Sequence, residues 1–252
     1  MAHRTKTALV TGGSRRIGAA IVRDLAGHGF NVAIHHMESD DTIKELVDEL
    51  GNEGLTITPL KADLRESDAV RSLFHEATQA IGPIDLLVNN ASIFEPDSAV
   101  TFEETLFDDH FSIHVKAPLI LAECMAKQAK MEKGLIVNMI DQRVLRLNPR
   151  FFSYTLSKAT LWTATQTMAQ QFAPQIRVNA IGPGPTLANE RQNPEDFQQQ
   201  IKALPLGAGP ELEEFGATIR YLYDTPSITG QMIALDGGQH LIWQTPDTIG
   251  QE

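Results

Sequence analysis

Thr7-Ala8-Leu9-Val10-Thr11-Gly12-Gly13-Ser14-Arg15-Arg16-Ile17-Gly18 is the stretch that decides how this chain folds. Its first four residues form a short apolar run that reads as a buried strand, and from Ile17 to about residue 28 the apolar spacing turns helical. A glycine turn joins the two. Gly12 and Gly18 permit a tight turn and a close approach of helix to strand, and the helix N-terminus then offers amide donors and a positive dipole end to a pyrophosphate. A glycine turn alone is a weak signal. The strand before it and the helix behind it supply the context that gives it meaning.

The same alternation runs outward through the 252 residues. Strand-like runs recur at 31–34, 55–60, 85–88, 135–138, 177–180 and 231–235, with helical stretches near 41–51, 66–80, 104–131, 153–172 and 211–223. Nearly continuous apolar strands separated by helices predict one α/β domain, a Rossmann-type doubly wound sheet of about seven parallel strands covered on both faces. The Pro/Gly-rich segment 182–210 is the longest stretch expected to be irregular, and 186–210 is expected to act as a lid over a substrate.

Composition removes several function classes. A formal charge of -11 and a pI near 5.2 argue against nucleic acid or an anionic membrane as partner. The single cysteine, Cys124, excludes an intramolecular disulfide framework. No apolar run approaches the ~20 residues of a membrane span. The N-terminus lacks the apolar core of a signal peptide, so a soluble cytoplasmic protein is expected. His110 and His114 have the i, i+4 spacing of metal ligands, but no third ligand suggests itself and no metal is expected.

Tyr154 and Lys158 are also four residues apart, within Ser153-Tyr154-Thr155-Leu156-Ser157-Lys158. On a helix they share a face, and the ammonium is expected to favour the phenolate and lower the tyrosine pKa. The bound nucleotide is read from the second strand, which ends Ile34-His35-His36-Met37 with no acid before Glu38. A carboxylate there would hold the ribose 2′-hydroxyl of NAD. Arg15 and Arg16 instead suit a 2′-phosphate, with His36 and Ser39 as further donors, so NADP(H) is expected over NAD(H).

With these marks in place, the chain resembles the short-chain dehydrogenase/reductase family over essentially its whole length. Thr11-Gly12 through Gly18, Asp63, Asn89-Asn90-Ala91, Tyr154 with Lys158, Pro183-Gly184 and Asp236-Gly237-Gly238 fall in the family's order. The resemblance implies that the loop from Gly12 and Ser14 to Ile17 and Gly18 holds the pyrophosphate. It places Asp63 and Leu64 by the adenine, Asn90 and Ala91 along the cofactor, and Pro183 and Gly184 beside the nicotinamide. Lys158 would also hold the nicotinamide ribose hydroxyls. Two departures narrow the subgroup: Asp141 stands thirteen residues before the tyrosine where the family has a serine, and Arg16 replaces the middle glycine of the loop. Both look like the pteridine reductases and the dihydromonapterin or dihydrofolate reductases. There, residues at the Ser92 and Phe94 positions touch and stack on the pterin. His114 stands where most of the superfamily has a relay asparagine. The resemblance also implies a homotetramer built through the helices near 104–131 and 153–172 and the last strand, and the tail 240–252, with apolar Ile242 and Trp243, is expected to reach towards a neighbouring subunit.

An aspartate beside the phenol changes the chemistry expected. Ionised Asp141 favours the protonated phenol and opposes Lys158, while burial raises Asp141 itself, so the pair shares a proton. Such a couple suits proton delivery to a ring nitrogen. The expected activity is NADPH-dependent reduction of a reduced pterin, with Tyr154, Lys158 and Asp141 catalytic and Ser92, Phe94, Asp141 and Tyr154 against the substrate. A generic carbonyl or 3-oxoacyl reductase and a non-catalytic NADPH sensor remain as alternatives. Arg143, Arg146 and Arg150 could meet a phosphate or carboxylate tail, although such a charge set is more often a solvated loop face.

Overall fold

β1 (Lys6–Val10), α1 (Arg16–Gly27) and β2 (Phe30–His36) form the first βαβ unit, as the opening stretch predicts. The structure, a computed structural model, describes residues 5–37, 41–128, 133–188 and 192–244. The remaining elements follow as α2 (Asp41–Asn52), β3 (Ile57–Lys61), α3 (Ser67–Ile81), β4 (Leu86–Asn89), α4 (Glu104–Phe111) and α5 (Ala117–Lys127). After these come β5 (Gly134–Met139), α6 (Phe152–Phe172), β6 (Ile176–Pro183), α7 (Pro194–Lys202), α8 (Leu212–Asp224) and β7 (Met232–Leu235). The seven strands are all parallel, in the order β3-β2-β1-β4-β5-β6-β7.

Strand alternation builds the two layers. Ala8, Val10, Val32, Ile34, Leu86, Val88, Leu135 and Val137 turn to one face and pack under α1, α2 and α8. Leu9, Ala33, Leu87, Ile136 and Val178 turn to the other, under α3, α5 and α6. Each fully buried aliphatic side chain contributes about 1.5–3 kcal/mol, so this double burial is the main stabilising term. Polar insertions in the middle of the sheet are partly matched: Asn89 Nδ2 donates to Asn138 Oδ1 (2.8 Å) and Asn138 Nδ2 to Thr165 Oγ1 on α6 (2.8 Å), while the buried Asn89 Oδ1 has no hydrogen-bond partner among the described residues.

The order reverses between β1 and β4, because β2 and β3 are added on one side of β1 and the later strands on the other. At such a switch point the loops leave in opposite directions and open a crevice beyond the strands' carboxyl ends. Gly12, Asn90, Asp141 and Gly184 all follow strand ends at this edge.

Two expectations about the chain needed correction. The segment 182–210 is not irregular throughout: β6 extends to Pro183, and α7 forms from Pro194 with Asn193 Oδ1 capping the Glu195 amide at 3.0 Å. Proline at the first helical position and that cap were a start signal hidden in a Pro-rich stretch. The helix expected over 104–131 is interrupted by a π-helical turn, Ser112–Lys116, and its regular part ends at Lys127. A π turn inserts an extra residue and re-aims the side chains it carries, here His114 among them. No helix among the described residues is long and apolar enough to cross a membrane.

Candidate active site

Tyr154 and Lys158 occupy the first turns of α6, and both are buried. The helix begins behind Phe151, a non-glycine residue held in the left-handed region (φ 57°, ψ 56°). Strain at a bulky residue tends to mark a site where geometry matters. Here it lays the Phe151 ring face to face on Phe94, with centroids 4.0 Å apart and planes 9° apart. Phe94 also meets Tyr154 edge-on at 4.8 Å. Phe94 therefore keeps at most one face for a planar ligand.

Tyr154 donates its hydroxyl proton to Asp141 Oδ2 at 2.9 Å. The other carboxylate oxygen of Asp141 accepts from the Arg143 amide at 2.8 Å, so the acid caps its own 3-10 turn, Gln142–Val144. Burial raises the Asp141 pKa above the usual carboxylate range, against weaker opposition from the Arg143 amide and charge. Burial first, then Asp141, hold the Tyr154 phenol well above its ordinary value. Here the structure corrects the sequence expectation. Lys158 Nζ donates to the Met139 carbonyl at 2.8 Å and does not lower the phenol. Burial drops Lys158 itself to about 8, with Asp141 opposing.

Behind the phenol stands His114. Its Nε2 accepts from the Ile93 amide at 3.2 Å, so Nδ1 carries the proton and donates to Ser157 Oγ at 2.8 Å. Ser157 in turn donates to the Tyr154 carbonyl at 2.7 Å. With Nε2 an acceptor, Ser92 Oγ is the donor in its 3.0 Å contact with His114. Burial lowers His114 well below the ordinary histidine range, so it stays neutral. His110, also buried, bonds Ser153 Oγ through Nδ1 at 2.7 Å. The two histidine rings stack, with centroids 5.4 Å apart and planes 23° apart, and no group of three or more His, Cys, Asp or Glu placed to hold a metal ion is found among the described residues.

Two cavities meet here. One, of about 380 Å³, is lined by Gly12, Ser14, Arg15, Arg16, Ile17, Gly18, His36, Asp63, Leu64, Asn90 and Ala91 among others, which gathers the expected cofactor residues in one place. Ser39 and Glu38 lie outside the described residues. The loop is packed so closely that a Cβ on Gly18 would sit 2.1 Å from the Gly12 carbonyl oxygen and 2.7 Å from Asn90 Nδ2. Asn90 Nδ2 donates to the Thr11 and Gly12 carbonyls (3.0 and 2.9 Å). The Gly12 amide donates to His35 Nδ1 (3.1 Å), whose Nε2 then donates to the Ala62 carbonyl (3.1 Å). The first turn of α1 carries neither a side-chain cap nor an acid, which leaves its amides and dipole to an anion. This donor set fits a dinucleotide pyrophosphate.

The second cavity, about 360 Å³, holds Tyr154, Lys158, Asp141, Ser92, Phe94, Pro183 and Gly184. Arg16 borders both cavities, but its guanidinium donates to the Leu187 and Ala188 carbonyls (3.2 and 3.1 Å). The arginine expected at a 2′-phosphate thus ties down the segment after β6, whereas Arg15 is exposed on the nucleotide side. Asp63 is pinned by Arg65 through a paired contact (Nε 3.0 Å, Nη2 2.7 Å). Sequence reasoning missed Phe151 and Ser157, and also Phe197 and Gln200, which α7 brings to the cavity wall. The Asn193-Pro194 helix start and the polar and apolar spacing of 194–202 were the signals for the last two.

A family model described as short chain dehydrogenase matches residues 6–199. The chain belongs to that family. Among curated relatives, oxidoreductase UcpA of Salmonella typhimurium is 33% identical to this short-chain dehydrogenase over 252 residues (94% of this chain, 95% of the relative). The 3-oxoacyl-[acyl-carrier-protein] reductase FabG of Staphylococcus epidermidis is 29% identical over 242 residues (94% and 99%). Among solved structures, FolM alternative dihydrofolate reductase 1 from Brucella suis, in complex with NADP, is 56% identical. It superposes with a TM-score of 0.93 over 96% of this chain and 98% of that one. The Brucella canis counterpart, complexed with NADP, gives 56% and 0.94 over 97% and 98%.

Proposed function

We propose that this short-chain dehydrogenase is an NADP(H)-dependent reductase of a reduced pterin ring, of the dihydromonapterin or dihydrofolate type. One observation carries the reading: the Asp141 carboxyl accepts the Tyr154 hydroxyl hydrogen bond at 2.9 Å beside Phe94, at the position where the family resemblance implies a serine. Likeness to the FolM reductases at 56% identity supports it. The α1 amides, Gly12, Ser14, Ile17 and Gly18 would hold the pyrophosphate, Arg15 and His36 the 2′-phosphate, and Asp63 and Leu64 the adenosine end. Asn90, Ala91, Pro183 and Gly184 would line the nicotinamide side.

When bound, NADPH supplies the hydride. The protein's part is position and proton. Tyr154, kept protonated by burial and Asp141, hands its proton to the ring nitrogen of a C=N bond whose carbon accepts the hydride. Asp141, whose pKa burial raises, would enter this step in its protonated form and pass its own proton to the Tyr154 oxygen as the phenol gives one up, which leaves a neutral phenol and a single carboxylate. Lys158, charged below about 8, would bind ribose hydroxyls. Ser92 and the open face of the Phe94–Phe151 stack would orient the ring. Of the expected lid 186–210, residues 189–191 lie outside the described residues; the described part, held at Leu187 and Ala188 by Arg16, would cover the ring.

The FabG relatives favour a second reading, reduction of a 3-oxoacyl ester. NADPH consumption against a panel of dihydropterins, dihydrofolate and β-keto esters separates the two. Turnover of dihydropterins with keto esters inert is the expected result. Turnover of keto esters alone would sink the pterin reading.

A further inference from the structure

The cavity around Tyr154 does not end at Phe94. It opens into a wider vestibule of about 740 Å³ that shares Phe94, Gln142 and Arg143 with it and continues along the loop between the 3-10 turn and α6. Arg146 and Arg150 line that outer part. Arg143 stands at the join, its guanidinium carbon 5.3 Å from the Phe94 ring and 5.1 Å from Phe151. Arg143 is partly committed inward, 3.8 Å from Asp141. Arg146 and Arg150 are exposed, and neither guanidinium is paired with a described residue. Asp196 on α7 is the one carboxylate among the described lining residues.

Three guanidinium groups on one mouth run against the composition of a chain whose formal charge is -11. A solvated loop face would need no cavity behind it and no continuity with the catalytic cavity. This set has both. Guanidinium groups present several donors in a rigid fork that matches carboxylate and phosphate oxygens. A planar ring seated against Phe94 beside Tyr154 would direct any substituent outward into this vestibule.

We propose that the vestibule is a second subsite that takes an anionic tail, carboxylate or phosphate, on the substrate, with Arg146 and Arg150 as its principal contacts. The proposal rests on the pterin reading, because the ring must lie at Phe94 for its tail to reach the arginines. The subsite then sets specificity: it favours ring substrates carrying charge on the tail over those carrying only hydroxyls.

Steady-state kinetics with three probes of one ring type test this. They are 6-hydroxymethyl-7,8-dihydropterin, its pyrophosphate ester, and 7,8-dihydrofolate triglutamate, each with saturating NADPH and with the parent and the Arg146→Ser/Arg150→Ser variant. Both residues are exposed, so the variant keeps its fold. The expected result is a KM for an anionic probe that rises about three- to tenfold in the variant with kcat held, as two solvent-accessible charge pairs would give. Added salt should produce the same rise in the parent. The uncharged probe should respond to neither change, and whichever anionic probe loses more names the tail. If the variant affects all three probes alike, or none, the subsite is overturned while the pterin reading stands. If the parent turns over none of the three, the pterin reading fails and takes the subsite with it.

Discussion

At the residue scale the site is a phenol whose proton is held by an acid, with the cation turned aside. Tyr154→Phe should lower kcat by about 10²–10⁴ while leaving the NADPH dissociation constant within a factor of two, measured by fluorescence titration. Lys158 sets the pH behaviour. Its folded value of about 8 lies below the ordinary 10.5 because burial penalises the ammonium. Below about pH 8 it is charged in both folded and unfolded states and the folded state bears the full cost. Above about 10.5 it is neutral in both and the cost vanishes, so stability from this group rises across that window. Without cofactor, Lys158→Met should be more stable than the parent at pH 7 by up to about 3 kcal/mol, with the gap closing towards pH 10 in denaturant titrations. The kcat/KM profile should fall above about pH 8 as the ammonium is lost, and Lys158→Arg should remove that descending limb. Asp141 was legible by its distance from Tyr154 in sequence. The partner of Lys158 was not, because the Met139 carbonyl reaches this helix residue from the end of β5.

At the element scale, the phosphate loop was readable because its chemistry is local: strand, glycines and helix are contiguous. Gly18→Ala should raise the NADPH dissociation constant at least tenfold, since its Cβ would overlap the Gly12 carbonyl and the Asn90 amide that shape the turn. A calorimetric titration giving unchanged affinity would show that the loop relaxes at little cost. The π turn was not readable. A regular helix and one with an extra residue per turn have the same apolar spacing over five residues, and the deciding bonds of His114 run to Ser157 on α6 and Ile93 after β4. His114→Ala should destabilise the fold by about 2–4 kcal/mol, because it leaves the Ile93 amide without its acceptor and opens a cavity behind Tyr154, and thermal melts will register it. α8 packs on α1 in a similar non-local way. Gly216 lies where a Cβ would fall 2.3 Å from Asp24 Cβ, and Asp24 is held by Arg220 at 2.7 Å. Gly216→Ala should therefore cost about 1–3 kcal/mol despite its better helix propensity.

At the scale of the whole molecule, the sheet order places the site. Residues from the ends of β1, β4, β5 and β6, far apart in the chain, face one crevice because the strand order reverses between β1 and β4. The exposed apolar residues Leu119 on α5 and Leu156 on α6 are available to the proposed tetramer contacts, and Leu241 and Trp243 are exposed beyond β7. Residues 245–252 of the expected tail lie outside the described region. Sedimentation equilibrium on the full chain should give four chains per particle, and a monomer at micromolar concentration would refute the family analogy.

Read alone, the order of residues was enough to establish the βα alternation, the glycine loop, the Tyr154–Lys158 pair and the telling aspartate, because each depends on periodicity or spacing within a few residues. Folding decided the rest: that Phe151 covers one face of Phe94, that Arg16 grips the chain after β6, and that Arg143, Arg146 and Arg150 share a cavity wall with Asp196. Those facts arise from contacts between segments distant in sequence, where burial and hydrogen-bond geometry choose partners that no local pattern encodes.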